Sequence, residues 1–254
     1  MPLPPQVIFT PADFDALRPP DLARATCVVF DVLRATTTMI TALANGAEAV
    51  FPVADIAAAL ALRQRLPGAL LGGERGGLRI GAALTGGVEF DLGNSPREYT
   101  PERVRGRTII TTTTNGTRAL QACNGAATVL AASFPNLAAT AQWLRAHNAG
   151  RLLLVCAGTG EEAAWEDTLA AGALVEALVQ MGRDADAADS ANAARQLYLQ
   201  SAVDLLGSMQ FSLNAQRLLA QPELQADVAF CLQRDTLPIV AALGTDGAVR
   251  AVGP

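Results

Sequence analysis

The stretch Arg107-Thr-Ile-Ile-Thr-Thr-Thr-Thr-Asn-Gly-Thr-Arg118 constrains the fold of this chain more than any other. Residues 108–111 form a β-branched run of the kind that suits a pleated strand. Residues 117–123 have helix-like spacing. Between them, residues 112–117 crowd hydroxyls, an amide and a glycine into one loop. A strand that passes through such a loop into a helix brings backbone N–H groups and a positive dipole end to one point. That is an anion site by construction. It is not a Walker loop, because Gly-x-x-x-x-Gly-Lys-Ser/Thr is absent. A threonine-rich strand closed by an Asn-Gly turn accounts for the same residues without any ligand.

The order strand, polar loop, helix recurs along the chain. Cys27-Val-Val-Phe30 is a continuous apolar run, hence a buried strand, and it ends on Asp31. Helical spacing over 35–44 stops at Asn45-Gly46, a C-cap signal. Strands are expected at 7–10, 49–53, 69–72, 127–131 and 152–156. Helices are expected at 55–66 (with Asp55 as N-cap), 136–148 and 164–181. The final third reads as mainly helical, over 186–206, 208–220 and 222–231, with short strands at 238–242 and 249–252. Residues 72–101, rich in glycine pairs and carrying Asn94-Ser95-Pro96, read as one long loop; such loops are usually functional.

The alternation predicts an α/β fold, a mostly parallel or mixed sheet with helices on both faces. No stretch is composed like a linker, so the chain reads as one unit, 1–254. Two closely packed subdomains, about 1–130 and 131–254, are the alternative division. Recurrence of the unit at Asp31, Thr112 and Cys156 also fits an internal duplication.

Composition narrows the chemistry. Net charge is −5 and the pI near 4.9, with no basic stripe or aromatic platform, which argues against nucleic acid as a partner. No apolar run reaches the roughly 18 residues that span a bilayer, and the proline-rich N-terminus is unlike a signal peptide, so a cytoplasmic protein is expected. All 19 basic residues are arginine, which excludes lysine nucleophiles and Schiff bases. The four cysteines are widely spaced, as buried reduced thiols are. The single histidine, His147, lies near the end of an expected helix and reads as a surface residue. Catalysis therefore rests on carboxylates, hydroxyls, arginine, thiol or metal.

In open α/β sheets ligands bind beyond the carboxyl ends of the strands. The residues collected there are Asp31 and Arg34, Glu74 and Arg75, Asn94 and Ser95, Thr112 to Thr117, and Cys156 to Glu162, with Glu166 and Asp167 in the helix that follows. Carboxylates and arginines among many hydroxyls fit a divalent cation and an anionic substrate. An oxygen-only ligand set favours Mg²⁺. Each piece also has an ordinary structural reading. Asp31 is a favoured helix cap, Glu74 and Arg75 a solvated pair, Asn94-Ser95-Pro96 a turn, Asp167 a first-turn carboxylate, and Cys156 a buried strand residue.

Six ordered motifs resemble the 2-phosphosulfolactate phosphatases of coenzyme M biosynthesis. They are Asp31-Val-Leu-Arg-Ala-Thr-Thr-Thr38, Gly73-Glu-Arg75, Phe90-Asp-Leu-Gly-Asn-Ser-Pro96, Thr112-Thr-Thr-Asn-Gly-Thr117, Cys156-Ala-Gly158 and Glu166-Asp167. The resemblance runs from about Cys27 to Gly172 and continues more weakly into the C-terminal helices. It implies a Mg²⁺-dependent phosphatase that converts (R)-2-phospho-3-sulfolactate to 3-sulfolactate and phosphate. The sequence departs from the family pattern over residues 80–89, which are longer and richer in glycine and bear on the shape of the substrate rim. It departs again at Ala164, before Trp165.

On that reading Asp31 and Glu74, with Asp167, hold the metal. Arg34 and the loop Thr113, Thr114, Asn115, Gly116 and Thr117 stabilise the transferring group. Arg75 takes the substrate carboxylate, and Asn94 and Ser95 donate to sulfonate or phosphate. An aspartyl-phosphate route through Asp31 lacks its second Asp, since Leu33 stands there, and lacks a lysine. A phosphocysteine route through Cys156 lacks the arginine of its loop, where Glu162 stands. A non-catalytic anion binder gains nothing from acidic residues beside its ligand unless a cation intervenes. Alanine-rich C-terminal helices offer either a homodimer face or a cover for the sheet.

Overall fold

The computed structural model describes residues 4–147, 150–182 and 187–253. Strand β1 is Gln6–Ile8, β2 Ala25–Phe30, β3 Ala49–Pro52, β4 Leu70–Arg75 and β5 Leu78–Arg79. The rest are β6 Thr108–Thr112, β7 Thr128–Ala132, β8 Arg151–Cys156, β9 Val240–Leu243 and β10 Val249–Val252. They form one sheet in the order β1-β8-β2-β7-β9-β10-β3-β6-β4-β5. All of β2 is buried, and its alternate residues serve two cores. Val28 and Phe30 pack with the helices Leu137–Ala146, Trp165–Gln180 and Asp189–Ser201. Cys27 and Val29 pack with the helices Ala35–Ala44 and Gly116–Ala122 on the other face. Truncating a fully buried Phe30 to alanine costs about 3–5 kcal/mol at such a position.

The sheet is mixed. Strands β1, β8, β2 and β7 are mutually parallel, as are β3, β6 and β4. The antiparallel hairpin β9–β10 is inserted between the two groups and pairs antiparallel to both. In a flat sheet the carboxyl ends of the two groups would lie at opposite edges. Twist of about 20–25° per strand pair accumulates across the intervening steps, and the ends of β2, β8, β4 and β6 converge on one cavity. Strand β7, paired between β2 and β9 inside the sheet, spans residue 130.

Most expected elements recur within a residue or two. The C-cap at Asn45 and the N-cap at Asp55, whose carboxylate accepts from Ala58 N–H at 2.7 Å, are as the sequence suggests. Two differences matter for the site. Strand β4 does not stop at Gly72 but continues to Arg75. Glycine is needed there because a Cβ on Gly72 or Gly73 would strike the Tyr99 hydroxyl or the Thr112 backbone. The stretch 72–101 is accordingly no open loop: it carries β5, the helix Ala82–Thr85 and the turn Pro96–Glu98, and buries Ile80, Phe90, Leu92 and Tyr99. The helix expected over 208–220 breaks at Ser212 (φ −89°, ψ 120°), which caps a new helix, Leu213–Leu219. The expected helix limits Asn148 and Asp186 lie outside the described residues. Among the described residues no helix is long and apolar enough to cross a membrane.

Candidate active site

A cavity of about 480 Å³ opens at the converging strand ends, walled by Asp31, Arg34, Glu74, Asn94, Thr113, Thr114 and Asn115. Gly158 and Thr159 beyond β8 close one side, and Asn214, Arg217, Leu218 and Gln221 of the C-terminal third close another.

Asp31 has two duties at once. Its Oδ1 accepts from the Ala35 N–H at 2.9 Å, capping the helix Ala35–Ala44, while the side chain faces the cavity. Burial pushes its carboxyl up to about 7; the Ala35 N–H pulls it back, and nearby Glu166 and Glu74 raise it further. Gly116 is glycine for Asp31's sake, since a Cβ there would stand 2.6 Å from Asp31 Oδ2 and 2.6 Å from Ala35 Cβ. Three threonines of the following helix are buried ties: Thr36 donates to Ala132 O, Thr37 meets Ser133 Oγ and Thr38 donates to Asn94 O.

Glu74 is the bracket of the threonine loop. Its Oε1 accepts from the N–H and the hydroxyl of Thr114 at 2.8 and 2.9 Å, and its Oε2 from the Gly77 N–H at 2.8 Å. Asn115 carries the loop across to the next one, its Nδ2 donating to Gly158 O at 2.6 Å. Thr117 turns inward, its hydroxyl donating to Thr113 O at 2.9 Å. Gly116 and Thr117 are thus supports of the loop and do not line the cavity.

Several expected roles move. Arg75 is turned onto its own sheet, donating to Glu74 O, Thr112 O and Thr112 Oγ1, so it is not placed for a substrate carboxylate. Ser95 donates to Asp227 Oδ1 at 2.7 Å, away from the cavity. Arg34 does line the cavity, but its guanidinium pairs with Asp227 at 2.7 Å and donates to Gly77 O at 2.6 Å. Asp167 sits behind the wall: Oδ1 accepts from the Val32 N–H at 2.8 Å and Oδ2 from the Gly158 N–H at 3.2 Å. It fixes the loops after β2 and β8, and burial with Glu166 and Asp31 nearby holds its carboxyl well above the usual range. Cys156 is wholly buried, and burial with Asp167 and Glu166 nearby raises its thiol well above the usual range; it is no nucleophile. No residue of 80–89 lines the cavity. His147 stacks on Trp143 at the exposed end of the helix Leu137–Ala146.

The C-terminal contribution was missed by the sequence reading. Asp227 is fully buried and binds Arg34, Arg97 and Ser95. Its signal was a lone carboxylate in the apolar run Ala226-Asp-Val-Ala-Phe-Cys231. Asn214, Arg217, Leu218 and Gln221 recur at helical spacing, a one-face pattern that shows only when the face is known to meet a cavity. Glu166, also buried, accepts from Ser212 Oγ at 2.6 Å and Asn214 Nδ2 at 2.7 Å.

The wall offers two carboxylates to a cation. Among the described residues Asp31 Oδ2 has no hydrogen-bond partner, and Glu74 Oε2 accepts one bond. Among the described residues no three His, Cys, Asp or Glu side chains gather as a metal cage. Mg²⁺ does not require one, because it commonly binds through one or two carboxylates, water and substrate phosphate. The oxygen donors and the raised Asp31 carboxyl fit such an ion.

The family model for 2-phosphosulpholactate phosphatase matches residues 12–245. A protein named probable 2-phosphosulfolactate phosphatase from Synechococcus sp. (strain JA-3-3Ab) is 43% identical over 242 residues, 92% of this chain and 95% of that one. Proteins of the same name from Caldicellulosiruptor saccharolyticus and Thermotoga maritima are 38% and 39% identical. They cover 84% and 86% of this chain and are themselves covered to 86% and 88%.

Proposed function

The chain belongs to the 2-phosphosulfolactate phosphatase family, and on that footing we propose that it hydrolyses (R)-2-phospho-3-sulfolactate to 3-sulfolactate and phosphate with Mg²⁺. The observation that carries the reading is the pairing of two cavity-facing carboxylates, Asp31 and Glu74, with the neutral polar wall of the threonine loop. Such carboxylates repel a phosphorylated acid unless a cation stands between.

Asp31 and Glu74 are the residues that would hold Mg²⁺, which supplies charge neutralisation for the phosphoryl oxygens. Thr113, Thr114 and Asn115 form a neutral polar wall for the transferring group, in which Thr114 is held by Glu74 and the Thr113 hydroxyl and the second N–H of the Asn115 amide are the donors left for it. Arg34 lines the same wall, but its charge is committed to Asp227 and Gly77 O, so it braces the site. Water attacks phosphorus as the bond from phosphorus to the C2 oxygen breaks. The proton that the attacking water gives up goes to the departing alkoxide, leaving 3-sulfolactate and hydrogen phosphate.

Phosphate release from a panel of 2-phospho-acids, with Mg²⁺ and with EDTA, tests the proposal. Turnover of 2-phosphosulfolactate that EDTA abolishes is expected, and Asp31→Asn and Glu74→Gln each lower it by orders of magnitude without unfolding the protein. Hydrolysis that survives EDTA removes the metal from the mechanism. No hydrolysis of any member leaves a phosphoacid-binding protein.

A further inference from the structure

Two guanidinium groups line the cavity, and they are not equivalent. The Arg34 side chain is 2% exposed and bound on both nitrogens by Asp227 and Gly77 O. Arg217 is exposed, and among the described residues it has no ion-pair partner. With Arg75 turned onto Thr112, Arg217 is the cavity's uncommitted cation.

Its placement is built. The helix Leu213–Leu219 begins at Ser212, whose hydroxyl accepts from the Ala215 N–H at 2.9 Å and donates to the buried Glu166. Asn214, one residue on from the helix start, is tied to both Glu166 and Thr159 Oγ1. Ala215 and Leu218 are buried and seat the helix on the core. With its start held on four hydrogen bonds and its inner face packed, the helix has one register, which sets Arg217, Leu218 and Gln221 against the cavity.

We propose that Arg217 is the specificity residue that reads the substrate's second anionic group, the sulfonate on C3. This rests on the phosphatase reading above. The substrate carries its phosphate and carboxylate on or next to C2, whereas the sulfonate sulfur lies one bond farther from the reacting oxygen. With phosphorus at Asp31, Glu74 and the threonine loop, the sulfonate points to the mouth, where Arg217 is. A sulfonate is a weakly basic oxyanion, and a planar guanidinium meets two of its oxygens at once without having to transfer a proton. Asn214 and Gln221 flank the same spot with neutral amides.

The test compares 2-phospho-3-sulfolactate with 2-phospholactate, which lacks the sulfonate, in the wild type, Arg217→Gln and Arg217→Lys. Arg217→Gln should lower kcat/KM for the sulfonated substrate roughly 10–100-fold, mostly through KM, as loss of a charge-assisted contact does. Turnover of 2-phospholactate should change by less than about threefold, and Arg217→Lys should fall between. Inhibition by 3-sulfolactate should weaken in parallel while inhibition by inorganic phosphate holds. Equal losses on both substrates, or no loss on either, overturn the role of Arg217 and leave the phosphatase intact. A wild type that hydrolyses neither substrate overturns both.

Discussion

Asp227 and Asp31 are both buried carboxylates, one behind Arg34 and one on the cavity wall, and the protein treats them in opposite ways. Asp227 is surrounded by its own compensation: Arg34 at 2.7 Å, Arg97 at 3.4 Å and the Ser95 hydroxyl at 2.7 Å. Asp31 has one backbone N–H and, beyond it, the carboxylates Glu166 and Glu74, with Arg34, already paired to Asp227, offsetting them only in part. A charge neutralised within the chain is a structural joint. A charge left for something outside the chain to neutralise is a binding element, held in place at the expense of stability. The arginine nearest both has been committed to the joint, which is why the cavity's positive charge for substrate falls to another helix.

The contrast can be broken most severely at the joint. Asp227→Ala leaves Arg34 buried without its partner, and breaking such a pair costs about 3–5 kcal/mol. Thermal unfolding should shift down by roughly 6–20 °C for a chain of this size. A shift within a degree or two would show the pair to be dispensable.

Asp31→Asn should act with the opposite sign. The amide keeps an oxygen for the Ala35 N–H but removes the buried charge. Because burial raises the folded carboxyl to about 7, the folded state keeps a proton that the unfolded state releases near pH 4. Stability therefore falls as pH rises from about 4 to about 7, and it stays lower above that. In EDTA, Asp31→Asn should be more stable than the wild type by about 2–4 kcal/mol at pH 8, with the gain shrinking towards pH 4. Denaturant titrations at the two pH values measure it. A variant less stable than wild type at pH 8 would mean that the charge is compensated after all.

The smallest effect sharpens the geometry. Gly116→Ala puts a methyl group 2.6 Å from Asp31 Oδ2, and overpacking of this kind costs about 1–3 kcal/mol. Phosphatase turnover should fall more than stability does, because the displaced group is the cavity carboxylate. Unchanged kcat/KM would detach the threonine loop from Asp31.

What the sequence made legible follows from range. Asp31 and the threonine loop sit directly after strands and Glu74 at the end of one, so strand-end logic brings them to one place, and the structure sets them, with Asn94 from the segment that follows, around one cavity. Arg75 and Ser95 stand equally close to strand ends or turns, but their direction depends on tertiary partners, Thr112 and Asp227, that no local pattern reports. Asp167 looked like a ligand because it is acidic beside acidic neighbours; its two oxygens instead hold the Val32 and Gly158 N–H groups. The wall made by Asn214, Arg217 and Gln221 is more than 130 residues from Glu74 in sequence, and tertiary contacts with Glu166, Thr159 and the core bring it across. Glycine pairs at 72–73 suggested a loop where close approach of Tyr99 and Thr112 makes a strand.

The position of β9 and β10 has a consequence for how the molecule is made. They are the last strands in the chain and yet stand in the middle of the sheet, between β7 and β3. During synthesis the two parallel groups can form early, but each leaves a bare edge of N–H and C=O groups until residue 252 has emerged. Joining them is a late, long-range pairing, of the kind that closes slowly and leaves edges open to mispairing meanwhile. The cavity, which draws walls from both groups, exists only after that final hairpin has been threaded into place.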